Sequence, residues 1–247
     1  MLKKHRMHPL AAAVGMMIGG AMAVTAHAQT ATLGTVTVTG EHDHPYQAPA
    51  QASNTKMTAP LLETPKSVTI ITEEVIKDRG ATSLQDVLRT TPGITLGAGE
   101  GGTPNGDRPF VRGYEASTDI FVDGVRDYAR TSHETFNLES VEVIKGPSSA
   151  YTGRGGTGGS INLSTKMPKK GERFMDVSAG FGNAKQYRTT IDGNYAFSET
   201  GALRLNVMKM GGEVPGRDGV TVDRLGIAPS IAFGLGTPTR VKLAYSH

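Results

Sequence analysis

The chain has 247 residues, 26 of them basic and 23 acidic, with no cysteine and no tryptophan. The excess of base is Lys3, Lys4 and Arg6, so the remainder is neutral and gives no electrostatic reason to expect nucleic acid; the missing cysteines exclude disulfides, thiolate metal sites and a thiol nucleophile. Glycine supplies 32 residues, well above the ~7% of ordinary proteins, which favours turns and sheet over helix.

Residues 1–28 read as a secretory signal peptide. Lys3, Lys4, His5 and Arg6 precede a small, apolar Leu10–Val24, and Ala26-His27-Ala28 closes the segment as a cleavage site. The apolar run falls short of the ~20 residues a membrane helix needs. Gln29–Lys56 is rich in Ala, Thr, Gln, Pro and His and lacks apolar mass, so a disordered leader is expected, with the first domain boundary at 63/64. Within it, Thr35-Val36-Thr37-Val38-Thr39-Gly40 alternates β-branched residues, a strand without an edge to pair with; β-augmentation onto a partner would supply one. Glu41-His42-Asp43-His44 holds metal-ligating residue types with nothing to fix a coordination geometry, so it reads as solvated linker and no metal site is expected.

Lys66–Thr72 reads as a strand, and Glu73–Arg79 as a helix with acids in its first turn and bases in its last. Gly80 stops it. Thr82-Ser83-Leu84-Gln85 fits a capping box opening a second helix through Arg89, with Leu84, Val87 and Leu88 on one face, ended by Thr91-Pro92-Gly93. Gly97–Pro109 is a polar glycine loop. Ile120–Val125 carries Asp123-Gly124, a hairpin signal. Arg126–Phe136 is a loop of bases and aromatic rings. Arg112 and Lys145 are candidates to pair with Glu115 or Glu142.

Leu138–Pro168 reads as strand, glycine turn, strand. Gly153–Gly158 fits G-x-G-x-x-G, but a dinucleotide site needs a strand directly before the motif and a helix directly after it. The upstream strand ends at Lys145 and Ser160–Thr165 alternates like a strand. Gly146, Pro147, Gly153, Arg154, Gly155, Gly158 and Gly159 are therefore assigned to architecture. From 169 onward the pattern is alternation: Met175, Val177, Ala179 and Phe181; Tyr187, Thr189, Ile191 and Tyr195; Leu203, Leu205 and Val207; Ile227, Ile231 and Phe233; Val241, Leu243 and Tyr245. Tight connections at Ser198–Gly201 and Gly236–Thr239 fall on one end of these strands, which suits the short periplasmic turns of a membrane barrel.

The runs EVIKGP and GRGGTGGSINLSTKMP resemble the end of the plug domain of TonB-dependent outer-membrane transporters, and the resemblance extends to Thr64–Gly93 and into the alternating region. One departure is Thr152, where the family usually has tyrosine. The resemblance implies an α+β plug domain, a mixed sheet with short helices, over 64–168. The first antiparallel strands of a transmembrane β-barrel follow over 169–247. Plugged barrels have about 22 strands, and five cannot close, so an N-terminal fragment is expected. It further implies that Thr35, Val36, Thr37 and Val38 form the segment gripped by TonB, the energy transducer with its inner-membrane motor. The loops Gly97–Pro109 and Arg126–Phe136 would face the outer mouth.

GDRPFVRGYEASTDIFVDGVRD, with the region from Val207 onward, is most similar to the catecholate ferric-siderophore receptors. That implies uptake of a ferric siderophore across the bacterial outer membrane, without catalysis. No cofactor is expected beyond iron carried inside its chelator. Arg108, Arg126, Tyr128 and Arg130 are the ligand candidates, through charge-assisted hydrogen bonds and cation–π contacts. The partners implied are TonB, the siderophore and outer-membrane lipid, not nucleic acid. The alternatives are another large ligand, such as cobalamin or a glycan, and a signalling or adhesion protein that does not import.

Overall fold

Alternation along the strands sorts this chain into sheets of opposite chemistry. The computed structural model describes residues 46–54, 56–97, 106–129, 131–147, 149–217 and 219–247, all within the unit Asp43–His247. The signal segment, Thr35–Val38, Glu41–His44 and Arg130 lie outside the described residues.

A 3-10 turn, Leu61–Glu63, leads into β1 (Ser67–Thr72), α1 (Glu73–Asp78), α2 (Leu84–Leu88), β2 (Ile94–Leu96), β3 (Pro109–Val111) and β4 (Tyr114–Glu115). Then come β5 (Ile120–Val122), β6 (Val125–Arg126), β7 (Leu138–Lys145), α3 (Ser149–Thr152) and β8 (Gly159–Thr165). The central sheet runs β1-β7-β8-β5-β6 and is mixed, because β5 pairs parallel with β8, Ile120 opposite Ile161. A small antiparallel sheet, β2-β3-β4, lies beside it.

In β7 and β8 successive side chains alternate between two buried faces. Val141, Val143, Ile161 and Leu163 join Leu84, Val87, Leu88, Ile76 and Val111 in one apolar core. Glu142, Asn162, Ser140 and Ser164 point the other way and are also buried. A strand follows Gly158 rather than a helix, so the dinucleotide reading fails on structure as well as on sequence.

Two hairpins turn through consecutive positive-φ residues, Arg112-Gly113 and Asp123-Gly124, the geometry that matches strand twist. The capping box sits one residue later than the sequence suggests. Ser83 is the N-cap, its hydroxyl accepting from the Asp86 amide while the Asp86 carboxylate takes the Ser83 N–H. Thr82 also donates to Asp86, and Gln85 turns away to the Gly106 carbonyl.

The second sheet is an antiparallel meander of β9 (Arg173–Phe181), β10 (Tyr187–Ala196), β11 (Ala202–Glu213), β12 (Thr221–Phe233) and β13 (Val241–Ala244). Its chemistry is inverted relative to a sheet in water. Asp192, Asn194, Arg204 and Asn206 are buried toward the plug, while Met175, Phe181, Tyr195 and Leu243 are exposed on the far side. That is the pattern of a barrel wall whose outer face meets hydrocarbon.

The leader expected over 29–63 does not extend to 63 as a free segment. From Tyr46 the chain is laid against the central sheet; Asn54 and Met57 are buried. Polar contacts hold it there beside the buried Met57 side chain. Ser53 gives its amide N–H to the buried Glu142 carboxylate and shares a hydroxyl contact with Ser164.

Candidate functional site

The wall defines two ends for everything inside it. Turns 197–201 and 234–240 close one end, and loops 182–186 and 214–220 close the other. Asp123 reaches Lys242, at the start of β13, which places the β5–β6 turn toward the tight-turn end. Glu134 accepts from Arg188 near the start of β10 and from Arg224 near the start of β12, which places residues 131–136 toward the loop end. Phe136 packs against Gly226, where a Cβ would come within 2.6 Å of its ring.

Between these ends runs a buried chain of alternating charge. Lys166 Nζ lies 2.9 Å from Glu73 Oε1 and 2.8 Å from Asp192 Oδ2. Asp192 also takes Arg204 Nε and Nη2 at 2.9 and 2.8 Å, and Arg204 Nη1 donates to the Met167 carbonyl at 2.9 Å. Glu73 holds Lys77 as well, at 2.6 Å. Burial works against the Glu73 carboxylate, but Lys166 and Lys77 keep it below the usual carboxylate range. Apart from the i,i+4 pair Glu73–Lys77 on α1, nothing in the local sequence marks these residues, because Glu73, Lys166, Asp192 and Arg204 come from different parts of the chain.

Of the four ligand candidates, Arg126 is committed to the fold. Nη1 donates to the Thr118 carbonyl at 2.6 Å and to Asp119 Oδ1 at 2.7 Å; Nη2 donates to the Thr152 and Arg154 carbonyls at 2.8 and 2.9 Å. The guanidinium lies over the Phe121 ring at 4.8 Å. Asp119 in turn accepts the Gly156 N–H at 3.1 Å. Arg126 and Asp119 thus pin the glycine loop to the β5–β6 hairpin.

Of the glycines expected to be architectural, Gly155, Gly158 and Gly159 are confined by their surroundings. A Cβ on Gly155 would meet Asp119 Oδ1 at 2.8 Å; on Gly158 or Gly159 it would lie 2.2 Å from the Val111 or Ile144 carbonyl oxygen. Gly146 and Gly153 have positive φ, and the Pro147 carbonyl accepts Lys66 Nζ. The pairings proposed for Arg112 and Lys145 are not those observed: Glu115 takes Arg108, Lys145 reaches Thr69 Oγ1, and Glu142 takes Ser53 N–H and Asn162 Nδ2.

Arg108 and Tyr128 remain presented at the loop end. Arg108 is held by Glu115 at 3.3 Å, lies 5.4 Å over Phe110, and is about one-third exposed (34%). Tyr128 is 72% exposed, with Arg126 5.9 Å from its ring centroid. Beneath them sits a group that sequence reasoning missed. His133 Nδ1 lies 2.7 Å from Asp107 Oδ2 and its Nε2 lies 2.8 Å from Asp127 Oδ2. The three residues are scattered along the chain, so no spacing motif announces them.

Residues 60–160 match the family described as TonB-dependent Receptor Plug Domain. The whole chain is 49% identical to the probable TonB-dependent receptor BfrD of Bordetella pertussis, of which it spans 34%. Over 97% of its length it is 42% identical to the catecholate siderophore receptor Fiu of Escherichia coli K12, spanning 32% of that protein. The fold matches the crystal structure of the siderophore receptor PiuA from Acinetobacter baumannii with a TM-score of 0.76 and 48% identity, over 81% of this chain and 28% of that one. The chain thus spans about a third of the length of the curated relatives it matches.

Proposed function

Because the chain belongs to the TonB-dependent receptors, we propose that it forms the plug and adjoining wall of an outer-membrane importer for a ferric siderophore, of catecholate type. The observation that carries this reading is the mixed-sheet plug fastened by buried ions to a wall that is polar inside and apolar outside. The relatives named as siderophore receptors supply the ligand class. In this reading residues 1–28 direct export and Thr35–Val38 meets TonB in the periplasm. Arg108, Tyr128 and Arg130 meet the anionic, aromatic chelate. Iron is cargo wrapped by its chelator, with no ligand from the protein, and the protein performs no catalysis.

The entry of the chain supports the direction of coupling. Tyr46 donates to Asp78, and Ser53 beyond it meets Glu142 and Ser164, so a pull on the leader reaches Tyr46 first and then Ser53. A ligand site at one end and a pulled segment at the other are the two sites that a coupling free energy needs.

The test is uptake of radioiron from an iron(III)–catecholate complex by cells with and without the native gene, and with the Thr35–Val38 segment deleted. Uptake should require both the gene and the segment. Gene-independent uptake, or gene-dependent growth on cobalamin or a glycan instead, would overturn the ligand class. Binding without any import would favour a signalling or adhesion protein.

A further inference from the structure

The Asp107–His133–Asp127 cluster takes in the residues that immediately precede Arg108 and Tyr128, and its geometry restricts its protonation. Both ring nitrogens of His133 are within 2.8 Å of carboxylate oxygens. A neutral imidazole has one N–H, so its second nitrogen would set a lone pair against a carboxylate lone pair. Only the imidazolium donates at both. Asp107 Oδ2 also accepts the His133 main-chain N–H at 2.8 Å, while Asp107 Oδ1 is buried with no hydrogen-bond partner among the described residues. A carboxylate buried to that degree needs a cation beside it. Burial opposes the charge on His133, but Asp107 and then Asp127 raise its pKa above the ordinary imidazole value.

Each carboxylate is followed by a ligand candidate. Asp107 precedes Arg108, and Asp127 precedes Tyr128, around which Asp127 Oδ1 closes a turn by accepting the Ala129 N–H at 2.8 Å. We propose, resting on the siderophore reading above, that His133 is a positioning residue that holds together the two segments bearing Arg108 and Tyr128 by bridging the aspartates that precede them. When the ring loses its proton one bridge becomes repulsive, and the two segments part.

The other charged groups on the packed elements are occupied elsewhere. Arg108 faces Glu115, Arg126 faces Asp119, and Glu134 faces Arg188 and Arg224. On α2, Asp86 takes the donors of Thr82 and Ser83. No second cation among these replaces the imidazolium if it is lost.

Hydrogen–deuterium exchange on the native gene product tests this without any ligand. Peptides over 106–115 and 127–136 are followed at about pH 6 and about pH 9, either side of the imidazole range, after correction for intrinsic exchange. Protection in the wild type should fall between the two values. H133Q should exchange on the order of tenfold faster at the lower pH and show no step. D127N keeps the shape but loses one anion, and should move the step to lower pH. Wild-type protection in H133Q, or an unmoved step in D127N, overturns the proposal.

A second arm titrates an iron(III)–catecholate complex at one fixed pH near neutrality. H133Q should bind on the order of tenfold more weakly. Unchanged binding with altered exchange overturns the positioning role. A wild type that exchanges as expected but binds no ferric catecholate overturns the ligand reading and leaves the clasp standing.

Discussion

Replacing Arg126 distinguishes a plug keystone from a ligand contact. Its guanidinium satisfies Asp119 and the carbonyls of Thr118, Thr152 and Arg154, and the two side chains are 13% and 8% exposed. Removing one partner of a buried ion pair costs about 3–5 kcal/mol. Asp119 keeps the Gly156 N–H, so R126A belongs at the lower end, about 3 kcal/mol, or roughly a hundredfold in the local opening equilibrium. R126K keeps the charge but cannot span four acceptors, and should recover about half of that free energy. Amide exchange over 152–158 reads both variants directly. If exchange there is unchanged while affinity for a ferric catecholate collapses, the guanidinium belongs to the ligand and the structural assignment is wrong.

D86A should cost about 1 kcal/mol through loss of the capping box, seen as faster exchange in α2. Burial opposes the Asp86 charge, but Ser83 and Thr82 hold its pKa low; its contribution is therefore present above the unfolded carboxylate value and lost as pH falls through the folded one. An acid titration of plug unfolding should show that component in the wild type and not in D86A. G159A should destabilise the β7–β8 pairing by about 1–3 kcal/mol more than G153A, because a Cβ on Gly159 strikes the Ile144 carbonyl whereas Gly153 has open space and only a backbone penalty. K166M leaves Glu73 and Asp192 facing each other without their shared cation. It should lower plug stability by about 3 kcal/mol in thermal unfolding, and equal stability would show that Lys77 and Arg204 suffice.

What was legible in the sequence was local. Leu84, Val87 and Leu88 carry a helical period, and they are the buried face of α2. Asp123-Gly124 specifies its own turn by backbone chemistry, and the wall strands carry period-2 alternation strong enough to set their faces. The capping box slipped by one residue because Thr82 and Ser83 are both competent caps. The tie-break is a main-chain contact, Leu84 N–H to the His133 carbonyl, supplied by a distant loop. The structural contacts of Arg126 escaped the sequence for a related reason: three of its four acceptors are backbone carbonyls, which have no residue code to read. The parallel pairing of β5 with β8, the Ser53–Glu142 contact and the His133 clasp join residues far apart in the chain. They follow from topology, which no window of residues contains.

The chemistry of the plug's outer faces bears on whether it can move. Its interior is apolar, and exposing that core would forfeit about 25 cal/mol for each Å² returned to water. Its contacts with the wall and the leader are of another kind. Beside Phe136 on Gly226, they include ion pairs and hydrogen bonds: Lys166 with Asp192, Glu134 with Arg188 and Arg224, the Met167 carbonyl with Arg204, and Ser53 with Glu142. Dehydrating such groups consumes much of what their pairing returns, so separating them in the presence of water costs far less than the contact distances suggest. A plug fastened in this way can part from its wall and shed its leader while its core stays folded. Fastened by leucines instead, it would forfeit hydrophobic stabilisation with every Å² of that contact it opened.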